Sequence, residues 1–170
     1  LYKANRDAPP EDLIPQFALI HRAVEAFNIK CISQIGYEAD DLIATYSKIA
    51  SERDAQTIII SGDKDLMQLI NNNVRMYDPM PGKEKFIDSN GVYDKFGVTP
   101  DKVVDVQALA GDSTDNIPGV PGIGIKIASE LINEYSSLEN LLSNAEEIKQ
   151  NKRRENLLKY SEDARISYQL

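Results

Sequence analysis

A chain of 170 residues, 42% hydrophobic and 27% charged, with nine glycines and eight prolines, is long enough to bury a core and excludes a disordered tail, a coiled rod and a collagen-like repeat. Its apolar runs, such as residues 57–60, fall far short of the roughly 20 residues that cross a bilayer, which excludes a membrane-spanning helix. Nineteen basic against 27 acidic residues leave a net charge of −8, the opposite of the balance expected for a simple nucleic-acid binder.

In chain order, Pro15 suits a first helical position, and Phe17, Ile20, Val24 and Phe27 recur at helical spacing, predicting an amphipathic helix over 16–28. Residues 30–34 alternate weakly before Gly36 and are expected to form a strand. Ala39, Leu42, Ile43, Tyr46, Ile49 and Ala50 then trace one face of a helix. Residues 56–61 form a β-branched apolar run closed by Gly62, expected as a buried parallel strand, and a short helix follows through Leu66, Leu69 and Ile70. Another strand is expected over 74–77, before the turn containing Pro79, Pro81 and Gly82. Residues 1–98 thus read as an α/β layer core. Residues 99–170 read as a helical subdomain, with helices over 103–110, 126–135, 138–143 and 153–160. No internal repeat or low-complexity stretch interrupts them.

Three acidic clusters stand at the junctions of this pattern: Glu38, Asp40 and Asp41; Asp63 and Asp65; Asp112 and Asp115. Two of them follow strand ends, where open α/β sheets gather reactive groups. Each has a structural alternative. Acids in a first turn suit the helix dipole, Asp63 suits a cap, and the sequence from Gly111 to Ser113 suits a loop. Together, with little but Lys64 as a nearby base, they would repel strongly unless cations lay among them. Oxygen donors without His or Cys favour Mg²⁺ or Mn²⁺, ions that join protein carboxylates to phosphates. Two ions roughly 4 Å apart activate water and stabilise phosphodiester displacement. Setting these seven carboxylates aside leaves a net charge of −1, compatible with local basic patches that hold DNA.

From Asn116 to Gly124 a Gly- and Pro-rich turn leads into an amphipathic helix. Small glycines let backbone approach phosphate, amides at a helix start donate to it, and Lys126 adds charge. Such contacts position DNA without reading bases. The structural alternative is a plain connector.

Tyr2-Lys3-Ala4-Asn5-Arg6, Gly36-Tyr37-Glu38-Ala39-Asp40-Asp41, Asp63-Lys64-Asp65-Leu66 and the run from Gly111 to Gly124 resemble, in order and over nearly the whole chain, the 5′ nuclease domain of bacterial DNA polymerase I in the flap endonuclease family. The resemblance implies a PIN-like, mostly parallel sheet flanked by helices, with a C-terminal helix-hairpin-helix element that grips DNA. It implies Mg²⁺-dependent 5′-3′ exonuclease and 5′-flap endonuclease activity in primer removal and repair. Glu38, Asp40, Asp41, Asp63, Asp65, Asp112 and Asp115 match the family's metal-binding carboxylates, some acting through water. Lys3 and Arg6 match basic residues that would orient the scissile phosphate, against a structural alternative of solvated surface. Gly119, Gly122, Gly124 and Lys126 fall in the DNA-gripping hairpin, where the resemblance also implies a K⁺ ion held by backbone carbonyls.

The family's first strand, with an early metal-binding Asp, and an acidic and basic cluster after it have no counterpart before Tyr2, so full activity is not expected of these 170 residues alone. The opening at Leu1 and the close at Leu170 suggest a fragment, expected to be monomeric, with fusion to a polymerase domain left open. One cysteine and no leader point to the cytoplasm. Cys31 is expected to pack in the core, His21 to lie at the surface or boundary, and Lys152, Arg153 and Arg154 to be a solvated helix face. The rival readings are a non-catalytic DNA-binding fragment and a phosphatase built on Asp63-Lys64-Asp65, which would use a covalent aspartyl intermediate.

Overall fold

The computed structural model describes residue 4 and residues 8–170. The positions of Lys3 and Arg6 lie outside the described residues. Helix α1 (Ile14–Ala26) starts one residue before Pro15, which sits in its first turn, yet none of its residues is buried, and Phe17 and Ile20 are exposed. The expected strand over 30–34 does not form: these residues have no regular structure, and Cys31 is exposed rather than packed in a core. Its Sγ instead lies 3.4 Å from Nδ1 of His21 on α1. An extended segment becomes a strand only when a neighbour takes its backbone hydrogen bonds, and no described residue does so here.

Helix α2 (Ala39–Ser51) packs on strand β1 (Thr57–Ile60), which pairs in parallel with β2 (Val74–Asp78), Ile59 opposite Met76. The crossover between them contains a 3₁₀ helix, Lys64–Leu69, that buries Leu66 and Met67. Strand β1 is parallel but not buried on both faces: Ile59 is buried while Ile58 and Ile60 are exposed. A third strand, β3 (Lys85–Ile87), adds antiparallel to β2 with Phe86 opposite Tyr77, their rings 5.0 Å apart. The sheet order is therefore β1-β2-β3, a small mixed sheet.

The helical part begins with α3 (Ser89–Phe96). The Asp88 carboxylate caps it by accepting from the amides of Asn90 and Gly91, and Gly97 ends it in the left-handed conformation. Helices α4 (Val103–Ala110), α5 (Ile125–Tyr135), α6 (Leu138–Ser143), α7 (Asn151–Lys159) and α8 (Ser161–Gln169) follow, with α4 in the centre against α5, α6 and α8. One continuous core joins this part to the sheet, running from Val74 and Met76 on β2 through Val92 and Phe96 to Val106, Leu109, Ile132, Leu141 and Leu157. The buried Asp105 carboxylate accepts from the Leu138 amide at 2.7 Å and so fixes the start of α6 on α4. No helix among the described residues is long and apolar enough to cross a membrane.

Candidate active site and nucleic-acid interface

All seven predicted carboxylates line one cleft of about 590 Å³ between the sheet layer and the helical part. Glu38 precedes α2, and Asp40 and Asp41 lie in its first turn; the Asp41 carboxylate accepts from the Glu38 amide at 2.8 Å. Asp63 follows β1 and caps the 3₁₀ helix, accepting from the Asp65 amide at 3.0 Å. The capping roles anticipated as structural alternatives are therefore real, and they hold the same side chains at the cleft. Asp112 and Asp115 come from the loop after α4, where Asp112 pairs with Ile117 in an isolated antiparallel bridge. The Asp112 carboxylate also accepts from the Thr114 amide at 2.8 Å, and Asp115 is buried.

Two side chains tie the clusters together across the cleft. Lys64 donates to the Asp112 carboxylate in an ion pair, and the Gln107 amide on α4 donates to Asp65 Oδ1 at 2.5 Å. Burial raises the Asp65 carboxyl above the ordinary carboxylate value; the Gln107 bond draws it down, while the fields of Asp63 and Asp112 add to the rise. The Lys64 bond lowers the Asp112 carboxyl against the effect of burial, helped by the Thr114 amide. Burial works against the Lys64 ammonium, but the bond to Asp112 and the charges of Asp112, Asp65 and Asp63 outweigh it and raise its pKa. A protein cation thus lies where anionic charge is concentrated.

Gln107 and the C-terminal residues of α8 that line the cleft were not anticipated, and no sequence signal marks Gln107: with Asp105 it is one of two polar residues in a mostly apolar helix. Among the described residues no group of three or more His, Cys, Asp or Glu side chains stands ready-arranged to hold a metal ion. The donor set nevertheless suits a hard divalent cation, being all oxygen, and the Lys64 ammonium occupies the corresponding electrostatic position.

The loop leaving the cleft runs directly into the predicted hairpin. Gly119 is buried at φ +59°, and a Cβ there would lie 2.4 Å from the Gly111 amide nitrogen and 2.7 Å from the Ala110 carbonyl carbon. Its own amide donates to Ser167 Oγ at 3.2 Å. Gly119 therefore faces the interior, where it lets two backbones touch, rather than a surface ligand. Pro121 and Gly122, the latter at φ +81°, form a tight turn closed by the Ile123 amide donating to the Val120 carbonyl at 3.0 Å. Gly124 precedes α5 without a side-chain cap; it, Gly122 and Lys126 are exposed, and nothing lies within 4 Å of a Cβ placed on Gly124. Open backbone, an uncapped helix start and a lysine share one surface.

An acid-lined cleft between a small α/β layer and a helical unit carrying a glycine hairpin is the architecture of a nuclease with a resolvase-like core and a SAM-like helical extension. The chain belongs to the 5′-3′ exonuclease family: the family model for the N-terminal resolvase-like domain of 5′-3′ exonucleases matches residues 1–97, and that for their C-terminal SAM fold matches residues 98–170. DNA polymerase I of Rhizobium leguminosarum is 55% identical over 169 residues, covering 99% of this chain and 16% of that protein. The 5′-3′ exonuclease of Bacillus subtilis is 43% identical over 145 residues, covering 84% of this chain and 49% of that protein. The chain thus spans under half the length of either relative. Among solved structures, a T5 5′-exonuclease described as having divalent zinc ions bound superposes with a TM-score of 0.84 at 24% identity, over 98% of this chain and 65% of that one, which establishes the shared fold.

Proposed function

We propose that this chain is the cutting and gripping part of a 5′ nuclease that hydrolyses DNA phosphodiesters at 5′ ends and flaps, in primer removal and repair. The observation that carries this reading is the convergence of Glu38, Asp40, Asp41, Asp63, Asp65, Asp112 and Asp115, from three distant stretches of sequence, on one cleft beside an exposed glycine hairpin. Further support comes from the relatives: one T5 flap endonuclease structure is described as a pseudo-enzyme-product complex with DNA and metal ions.

The carboxylates would hold divalent ions, Mg²⁺ or Mn²⁺ and two in number, which when bound supply Lewis-acid activation of water and charge neutralisation at the phosphate. The chain's residues do the rest. Asp63 and Asp41 are fixed by their capping bonds, so their charges are presented to the cleft without further ordering. Gln107 and Lys64 hold the two walls at a set separation. Lys3 and Arg6 would orient the scissile phosphate. Gly122, Gly124 and Lys126, with a K⁺ ion on the hairpin carbonyls, would hold the duplex backbone. Residues 1–98 would form the cutting core and 99–170 the gripping unit, within a monomeric cytoplasmic protein that also carries a polymerase domain.

Asp63→Asn in the full-length gene product keeps an oxygen to cap the 3₁₀ helix while removing the charge. It should abolish Mg²⁺-dependent cleavage of a labelled 5′-flap substrate and leave DNA binding within about two-fold, well inside the factor of ten that 1.4 kcal/mol represents. Undiminished cleavage would refute the site. A 5′-phosphorylated nucleotide as product separates this chemistry from a phosphatase, which releases inorganic phosphate.

A further inference from the structure

Resting on that proposed action on DNA, we infer that α7 is a second phosphate-contacting strip continuous with the glycine hairpin. Asn156 on α7 donates through Nδ2 to the Pro121 carbonyl at 2.7 Å, and a Cβ placed on Gly122 would lie 3.7 Å from the same nitrogen. The hairpin turn therefore sits against the face of α7 that carries Asn156. On a helix, residues three and four positions away share a face. From Asn156 these are Lys152 and Arg153 on one side and Lys159 and the capping Tyr160 on the other, so every such position within α7 itself is basic.

Lys152 and Lys159 are exposed, Arg153 is half-buried, and none of the three is ion-paired to a described carboxylate. Lys159 is steadied over the Tyr160 ring at 5.1 Å. The remaining basic residue of the run is spent elsewhere: Arg154, two positions from Asn156 and so on another face, donates to the Ile148 carbonyl and to Asn151 Oδ1, each at 3.0 Å. In a chain of net charge −8, unpaired cations placed two helical turns, about 10 Å, along one face beside an exposed phosphate-binding turn fit a regular polyanion. The partner that matches is the sugar-phosphate backbone of the duplex already held by the hairpin, contacted without reading of bases.

The test is binding of a fluorescein-labelled flap duplex by the full-length gene product in EDTA, followed by anisotropy across a KCl series. Each phosphate contact contributes about 0.9 to the slope of log affinity against log salt. Lys152→Gln combined with Arg153→Gln should lower that slope by about 1.8, so that the affinity gap to the parent closes about 12-fold between roughly 50 and 200 mM KCl. Lys126→Gln should lower it by about 0.9, and Lys48→Gln on α2 should leave it unchanged. An unchanged slope in the α7 double variant while Lys126→Gln reduces it overturns the strip and leaves the hairpin standing. No change in either overturns the hairpin reading itself. An equal fall per charge in Lys48→Gln also overturns the strip, because it attributes the effect to net charge rather than to place. Matching thermal unfolding curves check that each variant is folded.

Discussion

Gly119→Ala offers a sharp test because the two costs it incurs can be read from the backbone. The residue sits at φ +59°, a left-handed conformation that costs an L side chain about 1–2 kcal/mol. The new methyl would press on the Gly111 amide at 2.4 Å and on Ala110 and Gly111 carbons at 2.7 Å, all main chain, so relief requires moving the end of α4. Overpacking of that kind costs about 1–3 kcal/mol, giving a total of roughly 2–5 kcal/mol. With a urea slope of about 2 kcal/mol per molar, the unfolding midpoint should fall by about 1–2.5 M. Gly124→Ala is the control: its φ of −93° is ordinary and its surroundings are empty, so its midpoint should stay within about 0.5 M of the parent. That variant should instead weaken DNA binding, since the methyl stands where a phosphate would approach. Urea unfolding followed by circular dichroism reads both. A Gly119→Ala midpoint equal to that of Gly124→Ala would refute the assignment of one glycine to packing and the other to the surface.

Lys64→Met removes the ammonium but keeps the stem, leaving Asp112 without its partner. In chelator this should cost about 1–2 kcal/mol, less than for a fully buried pair because Lys64 keeps 34% of its side chain exposed, and added Mg²⁺ should restore part of the loss. Equal urea midpoints for parent and variant in chelator would count against the link. Asp105→Ala strands the buried Leu138 amide and should cost about 1–3 kcal/mol in the same assay, with flap binding retained once the protein is folded. Arg165 on α8 clasps Glu139 on α6 through two bonds of 2.9 and 3.1 Å, and Arg165 holds the Glu139 carboxyl below its ordinary value. A carboxyl depressed on folding stabilises above its unfolded pKa and loses that stabilisation as pH falls through the folded one. The difference in melting temperature between the parent and Arg165→Gln should therefore be full at neutral pH and vanish in acid; a difference that persists unchanged below the carboxylate range would contradict the pairing.

Much of the site was legible because acids at element ends are a pattern independent of detailed packing. The clusters at 38–41, 63–65 and 112–115 all line one cleft. The run at 57–60 was legible as an unbroken β-branched apolar stretch, and helices α4 to α7 from their sequence pattern and its Gly and Pro boundaries. Strand β3 was not, because three residues are too few to show alternation, and its one signal was Phe86 facing Tyr77 across the Pro81-Gly82 turn. Helix α3 hid behind Gly91 and a polar sequence, although Asp88 and Gly97 are ordinary boundary residues. Helix α8 was invisible to periodicity because it meets the core through small side chains, Ala164 and Ser167. Residues 30–34 misled because Ile29, Ile32 and Ile35 carry strand propensity, yet all three are exposed and unpaired by any described strand.

The short loop from Gly111 to Gly119 contributes two carboxylates and is pinned at both ends where its first and last glycines touch. Because the hairpin departs from that pinned end, the loop acts as a gauge block between blade and clamp. On the proposed activity, the bond that is cut is then chosen by counting from the gripped duplex rather than by recognising a base.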